Sequence, residues 1–229
     1  MKYLALINAR KGSKGIKNKN KKILNNKPLI SWTFETIKKL ENKFEDILLS
    51  TDDNDIIKIA KKYNIDSPFV RPKSLAKDKT LQIDVIHHAL NYAEKKKKYD
   101  AVVLFQPTNP LRRINDIKKC ISVFEKYNPD NVITIIKSKK NLLSTLYEKN
   151  KNYLSPIFSS PERGTIRQNN KGFYSRVGSL YIIKSELVRK KKLFGDKIMG
   201  VEVSLLDSFD IDEPEDWKLI SILQKYKNE

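Results

Sequence analysis

Cysteine occurs once in the 229 residues, at Cys120, and histidine only as the adjacent pair His87 and His88. A single thiol excludes an internal disulfide and fits a reducing compartment. Two neighbouring histidines in a helical segment leave no Cys–His or Ser–His–Asp arrangement for covalent catalysis. Long apolar runs are also missing. Stretches such as 3–7 and 101–105 are strand-length, far below the roughly 18 consecutive apolar residues that a membrane helix needs. The first of them ends at Asn8 without a small-residue cleavage pattern, so no secretory signal is expected. These absences predict a cytoplasmic protein with no membrane partner. Arginine is scarce as well: of 46 basic residues only 8 are Arg and 38 are Lys.

What is present is a core and a charge. Hydrophobic residues make up 39% and charged residues 32%, too much apolar material for disorder, and the length suits one domain spanning 1–229. The formal net charge of +19 invites a nucleic-acid reading, and Gly12-Ser13-Lys14-Gly15 fits the GXXG loop that clamps a nucleic-acid backbone. Against that reading, the lysines are dispersed, no aromatic residues are interleaved to stack bases, and the loop follows the first strand of a longer α/β pattern. No nucleic-acid partner is expected. Seven arginines (Arg10, Arg71, Arg112, Arg113, Arg163, Arg167 and Arg176) fall in expected loops or element ends, where a planar, bidentate donor can clamp phosphate or carboxylate. That placement points to an anionic small molecule.

Apolar, β-rich segments alternate with segments of helical period, the pattern of βαβ units and a mostly parallel sheet. Strands are expected near 3–8, 46–51, 100–105, 131–137, 178–183 and 199–205, and helices near 28–40, 53–63, 81–97, 115–127, 185–191 and 214–226. In the third helix Leu81, Val85, His88, Ala89 and Tyr92 share the face expected to cover the sheet. The last helix carries a start signal in Asp212-Glu213-Pro214-Glu215, with Asp212 as N-cap. Residues 138–177 are polar and irregular, as a functional loop or an interface arm would be.

In an open parallel sheet, ligands bind beyond the carboxyl ends of the strands, and five segments there carry chemistry. After the first strand, Asn8-Ala9-Arg10-Lys11-Gly12-Ser13-Lys14-Gly15 combines two glycines three apart with fixed and mobile positive charge, as a polyphosphate cradle requires. It is also readable as a plain basic loop, and it matches neither GxxxxGK[ST] nor GxGxxG. Ser50-Thr51-Asp52-Asp53 reads as a helix cap, with Arg71 ahead of Pro72 the better functional candidate. Gln106-Pro107-Thr108-Asn109-Pro110-Leu111-Arg112 is stiffened by two prolines and presents Gln106, Thr108 and Arg112 from a rigid base. Arg163, Arg167, Gln168 and Arg176 cluster before the strand at 178–183. Asp210-Ile211-Asp212 places two carboxylates on one side of an extended segment, either a Mg²⁺ site or, for Asp212, only the cap.

In order and spacing, Ala9-Arg10-Lys11-Gly12-Ser13-Lys14-Gly15 with Lys19-Asn20, Arg71-Pro72 with Leu75-Ala76 and Asp78, the 106–112 segment and Asp210-Ile211-Asp212-Glu213-Pro214-Glu215-Asp216 resemble the CMP-sialic acid synthetases, or acylneuraminate cytidylyltransferases. The resemblance runs from about residue 3 to residue 220. It implies a nucleotide-diphosphosugar transferase-like α/β three-layer sandwich with a mostly parallel sheet and a small dimerisation arm, here 138–177, in a homodimer. It implies that CTP and a free 2-keto-3-deoxy acid sugar form a CMP-sugar and pyrophosphate with Mg²⁺. On this resemblance Arg10, Gly12, Ser13 and Lys14 hold the CTP phosphates, Asn20 and Arg71 contact the nucleotide, and Gln106, Thr108 and Arg112 hold the sugar. The arm residues Arg167 and Gln168 join the sugar site, and Asp210 with Asp212 bind Mg²⁺. Arg10, Lys14, Asp210 and Asp212 form the catalytic set. An octulosonate or a sugar 1-phosphate remains the alternative substrate. Three positions depart from the family pattern: Lys11 for Gly, Asn109 for Ser, and Arg176-Val177-Gly178 where Asn-Gly is usual. The loss of an amide at Val177 predicts a sugar with different or less polar substitution than the common sialic acid.

Overall fold

The computed structural model describes residues 1–13, 15–138, 146–150, 153–157 and 173–227. β1 (Tyr3–Ala9), β4 (Asp46–Thr51), β5 (Ala101–Phe105), β6 (Asn131–Ser138), β9 (Phe173–Lys184) and β10 (Ile198–Glu202) form a six-stranded sheet in the order β10-β6-β9-β5-β1-β4. β9 runs antiparallel to both neighbours; the remaining pairs are parallel. A short hairpin, β2 (Ile23–Leu24) with β3 (Lys27–Pro28), and a second, β7 (Tyr147–Asn150) with β8 (Tyr153–Pro156), stand apart from the sheet.

Helices cover both faces. α1 (Leu29–Lys38), α2 (Asn54–Lys61) and α4 (Ile114–Tyr127) pack on one side, where Phe34, Phe105, Ile117 and Phe124 are buried together. α3 (Gln82–Ala93) and α5 (Ser185–Arg189) pack on the other, over Leu6, Leu48 and Leu104. The alternation of side chains along each strand decides which residue joins which layer, and β1 and β5 are apolar on both faces because both are covered. α6 (Pro214–Lys227) closes a third cluster in which Leu24, Trp32, Leu111, Ile211 and Ile220 bury one another. Cys120 is fully buried in α4, and burial pushes its thiol up to about 12, which removes it from nucleophilic chemistry.

Strand and helix positions follow the hydrophobic periodicity, with four differences. The face of α3 that meets the sheet is centred on Ile86, Ala89, Leu90 and Ala93; Leu81 precedes the helix and is 64% exposed. α6 begins at Pro214, so the N-cap position falls at Glu213, and the carboxylate of Asp216 accepts from the amides of Asp212 and Glu213 at 2.9 and 2.8 Å. Asp212 is therefore not the cap; a side chain inside the first turn reaches back and satisfies those donors. Residues 138–177 are not irregular throughout, since they include the β7–β8 hairpin and the first part of β9. The strand expected over 199–205 stops at Glu202.

β9 also carries a bulge. Ile133 pairs with Tyr181 and Ile135 with Arg176, so Thr134 alone faces residues 177–180. The Thr134 hydroxyl lies within hydrogen-bonding distance of Val177 O (3.2 Å) and Leu180 O (3.4 Å) and accepts from the Leu180 amide (3.3 Å) and the Ser179 hydroxyl (3.1 Å). One side chain thus stitches a gap that backbone pairing leaves open, and bulges of this kind re-aim groups beside binding sites.

Candidate active site

The parallel strands β1, β4 and β5 end on one edge, and the segments that leave them line an open cleft of about 520 Å³. From β1 come Arg10, Ser13 and Gly15. Gly12 has φ +75, a conformation that favours glycine, and the Lys11 amide donates to Asp52 Oδ1 at 2.7 Å. The acidic pair after β4 therefore divides its work: Asp53 caps α2 by accepting from the Asp55 amide, whereas Asp52 ties down the glycine loop. A Cβ at Gly15 would stand 2.2 Å from Asp212 O, so only glycine lets the 210–213 segment close against the loop.

Arg10 pairs with Asp78 at 2.6 Å, both partly exposed. Asn20 is buried and donates to Arg10 O at 3.4 Å, holding the loop backbone while also lining the cleft. Lys19 sits beside it and donates to Ile211 O (2.6 Å) and Asp212 Oδ1 (3.0 Å). Arg71, 5% exposed, spends Nε on Ser50 Oγ (3.0 Å) and Nη2 on Ser50 O (2.5 Å) and lines the cleft with what remains. Burial lowers its guanidinium to about 10, so it stays charged at neutral pH.

From β5 come Gln106 and Thr108, both on the cleft wall. Thr108 Oγ1 donates to Asp210 Oδ1 at 3.2 Å, and the Ile211 amide donates to Thr108 O at 2.9 Å. Asn109 is fully buried and donates to Asp207 O and Phe209 O. Its carboxamide fastens the carboxylate segment to the proline loop, which gives the departure at this position a structural reason.

Arg112 is not where the motif implied. It is 6% exposed and does not line the cleft; Nε donates to Ser179 O (2.5 Å), Nη2 to Gln106 O (2.7 Å), and the guanidinium stacks over Phe105 at 5.3 Å. It is a strut under the cleft, joining the β9 bulge to the proline loop. Val177 is likewise buried, with its carbonyl bonded to Thr134, and the cleft is lined by other residues. Its side chain therefore does not face a sugar in the cleft, contrary to the expectation drawn from its place in the motif. Lys14, Arg163, Arg167 and Gln168 lie outside the described residues.

Asp210 and Asp212 face different surroundings. Asp210 accepts from Thr108 and from the Gly178 amide at 3.2 Å; burial, reinforced by the charge of Asp212, holds its carboxyl above the usual range, against the pull of Arg112. The Asp212 side chain is 73% exposed and pairs with Lys19. A divalent cation fits this pair, because it would relieve both the burial and the repulsion. Mg²⁺ is an ion of the kind two carboxylates can hold, since it completes its shell with water and phosphate. Lys19, Lys77 and Gln82 also line the cleft, although sequence reasoning gave none of them a role; their sole signal was proximity to the Asn20 and Arg71 motifs.

A family model described as cytidylyltransferase matches residues 4–228. The chain is 32% identical over 228 residues to the post-translational flagellin modification protein B of Campylobacter coli, covering 98% of this chain and 96% of that one. It is 29% identical to the CMP-N,N'-diacetyllegionaminic acid synthase of Legionella pneumophila, covering 100% of this chain and 99% of that one. It is 31% identical to the N-acylneuraminate cytidylyltransferase of Escherichia coli, covering 99% of this chain but only about half (53%) of that longer protein. Among solved structures, a CMP:2-keto-3-deoxy-manno-octonic acid synthetase complexed with CTP superposes with a TM-score of 0.73 over 99% of this chain and 100% of that one, at 16% identity. That likeness establishes the fold.

Proposed function

The chain belongs to the cytidylyltransferase family, and from that premise we propose that it joins CTP to a free, nine-carbon 2-keto-3-deoxy acid sugar, giving a CMP-sugar and pyrophosphate. The observation that carries the reading is the convergence of Arg10, Ser13, Arg71, Gln106, Thr108 and Asp212 on one cleft, in a chain whose full-length relatives include a CMP-diacetyllegionaminic acid synthase. Because Val177 is buried away from the cleft, nothing on the cleft wall argues for a less polar sugar, and legionaminate-type and sialic acids enter the test on equal terms.

The sugar's anomeric hydroxyl attacks the α-phosphorus, the bond to the β-phosphate oxygen breaks and pyrophosphate leaves. Such a step needs positioning and charge neutralisation and no protein nucleophile, in keeping with the buried Cys120. Arg10 and the amides of the glycine loop hold the triphosphate, with Lys14 expected to add its charge. Lys19 sets the position of Asp212, and Thr108 that of Asp210. Mg²⁺ held by Asp210 and Asp212 would supply charge neutralisation at the leaving pyrophosphate. Gln106 and Thr108 present donors and acceptors to the sugar, and Arg112 sets the height of that wall from below.

We further propose a homodimer built by the β7–β8 arm, in which Arg167 and Gln168 of one protomer serve the neighbouring site. Tyr153 (80% exposed), Leu154 (64%) and Ile157 (55%) leave the arm with an apolar surface of the kind that a partner covers.

The test is pyrophosphate release with CTP against a panel of N-acetylneuraminate, legionaminate, pseudaminate, an octulosonate and sugar 1-phosphates. Turnover with a free nonulosonate, dependent on Mg²⁺ and abolished by EDTA, is expected. Turnover confined to a sugar 1-phosphate, or equal use of ATP and GTP, would overturn the reading.

A further inference from the structure

Across the three strands that open into the cleft, one step along the chain changes the chemistry of a whole row. Leu6 is in register with Leu48 on β4 and Leu104 on β5, and all three are buried beneath α3. Two residues on, and therefore on the same face, stand Asn8, Ser50 and Gln106; Asn8 pairs with Ser50 directly, and Gln106 follows the Phe105 that pairs with Ile7. An apolar row gives way to a polar one at the mouth of the cleft. Asn8 is its centre.

Ser50 is committed to Arg71, and the Gln106 carboxamide lies against Gly178, where an added Cβ would stand 3.1 Å from its Oε1. The Asn8 carboxamide has no hydrogen-bond partner among the described residues, and its Oδ1 is buried and unsatisfied, although the residue is only partly buried and lines the cleft. A buried acceptor without a partner is costly, and turning the amide about χ2 toward the cleft loses no internal hydrogen bond. Val85, Leu75 and Pro107 line the same cleft and offer apolar contact to the faces of a flat ring. The glycine loop that would take the phosphates begins two residues after Asn8.

We propose that Asn8 is a specificity-determining residue for the nucleobase, its Oδ1 accepting a hydrogen bond from the exocyclic 4-amino group of cytosine. This rests on the CTP-dependent reading above. Uracil carries an acceptor at that position, which Oδ1 repels; the wild-type carboxamide can turn Nδ2 toward that oxygen, whereas Asn8→Asp has no such donor and should reject UTP more strongly than wild type.

Three variants separate the contact from a packing role. Asn8→Leu matches the volume and removes the amide, Asn8→Asp keeps an acceptor and Asn8→Ser shortens it. Binding is measured by calorimetry with CTP, UTP, a CTP analogue lacking the 4-amino group, and inorganic tripolyphosphate. In Asn8→Leu we expect CTP to bind about tenfold more weakly, with tripolyphosphate binding unchanged and Tm equal to or above wild type. The wild-type preference for CTP over the amine-free analogue should disappear in Asn8→Leu and persist in Asn8→Asp, with Asn8→Ser between them. Undiminished discrimination in Asn8→Leu, or an equal loss for tripolyphosphate, would overturn the proposal. Failure of the wider reading has a different signature: wild-type protein that binds CTP no better than tripolyphosphate.

Discussion

The Gly178 amide donates to Asp210 Oδ2 at 3.2 Å, and a Cβ on Gly178 would stand 2.5 Å from that same oxygen. The bulge in β9 delivers the amide, and the absence of a side chain lets the carboxylate approach. Because Thr108 holds the other oxygen, Asp210 cannot swing away cheaply. Gly178→Ala should therefore displace the carboxylate, raising the Mg²⁺ concentration for half-maximal rate and lowering kcat by about tenfold or more, with a modest fall in Tm. Unchanged Mg²⁺ dependence would separate Gly178 from the metal.

Asp210→Asn should give up most of kcat, by about a hundredfold or more, and yet gain stability. The sign follows from the carboxyl being held above its usual range by burial. Its ionised form is disfavoured in the folded chain, so stability is lost as pH rises through the folded-state value, and the cost is absent below the unfolded value of about 4. The variant should melt above wild type at pH 7 and converge with it near pH 4. A Tm advantage that persists unchanged at acid pH would contradict this.

Asp212 and Asp216 should separate cleanly. Asp212→Asn removes an exposed charge that caps nothing, so Tm should stay within about 2 °C while kcat collapses. Asp216→Ala removes the acceptor for two amide donors and should cost about 1 kcal/mol of stability with kcat largely kept. Thermal melts beside initial rates decide both, and full activity in Asp212→Asn would remove it from the metal site.

Arg112→Ala takes the guanidinium donor from the Ser179 carbonyl, leaves the Gln106 carbonyl with only the long bond from the Asn109 amide (3.4 Å), and opens a cavity beside Phe105. A loss of about 3 kcal/mol or more is expected, roughly 6–12 °C in Tm, with KM raised for both substrates. Arg112→Lys keeps the charge but not the fork and should fall between. A normal Tm with only the sugar KM affected would restore the direct carboxylate clamp that the motif implied.

Wild-type protein should scatter light as a dimer, and Tyr153→Glu with Leu154→Glu should produce a monomer of lower activity and near-normal Tm, because both side chains are exposed on the hairpin. Wild type that is monomeric at assay concentration with full activity would exclude the arm from the site.

The sequence by itself determined what is local or periodic. The span 46–51 reads as a strand because its apolar residues have no helical period and turn residues bound it, and 114–127 reads as a helix because Ile117, Cys120, Ile121 and Phe124 recur on one face. The ordered motifs likewise pointed to Arg10, Arg71, Gln106 and Asp212, all of which line the cleft. Tertiary structure decided what each polar group spends its hydrogen bonds on. Arg112 turns inward because Ser179, 67 residues away, offers a buried carbonyl. Asn109 holds Asp207 across 98 residues, and Asp216 takes the capping role that the order of residues suggested for Asp212. Asn8 acquires meaning only when strand register sets it between Ser50 and Gln106. Periodicity tells which side of an element a residue faces, but partners are set by the register and packing of distant segments, and a pattern read along one chain carries no distance between them.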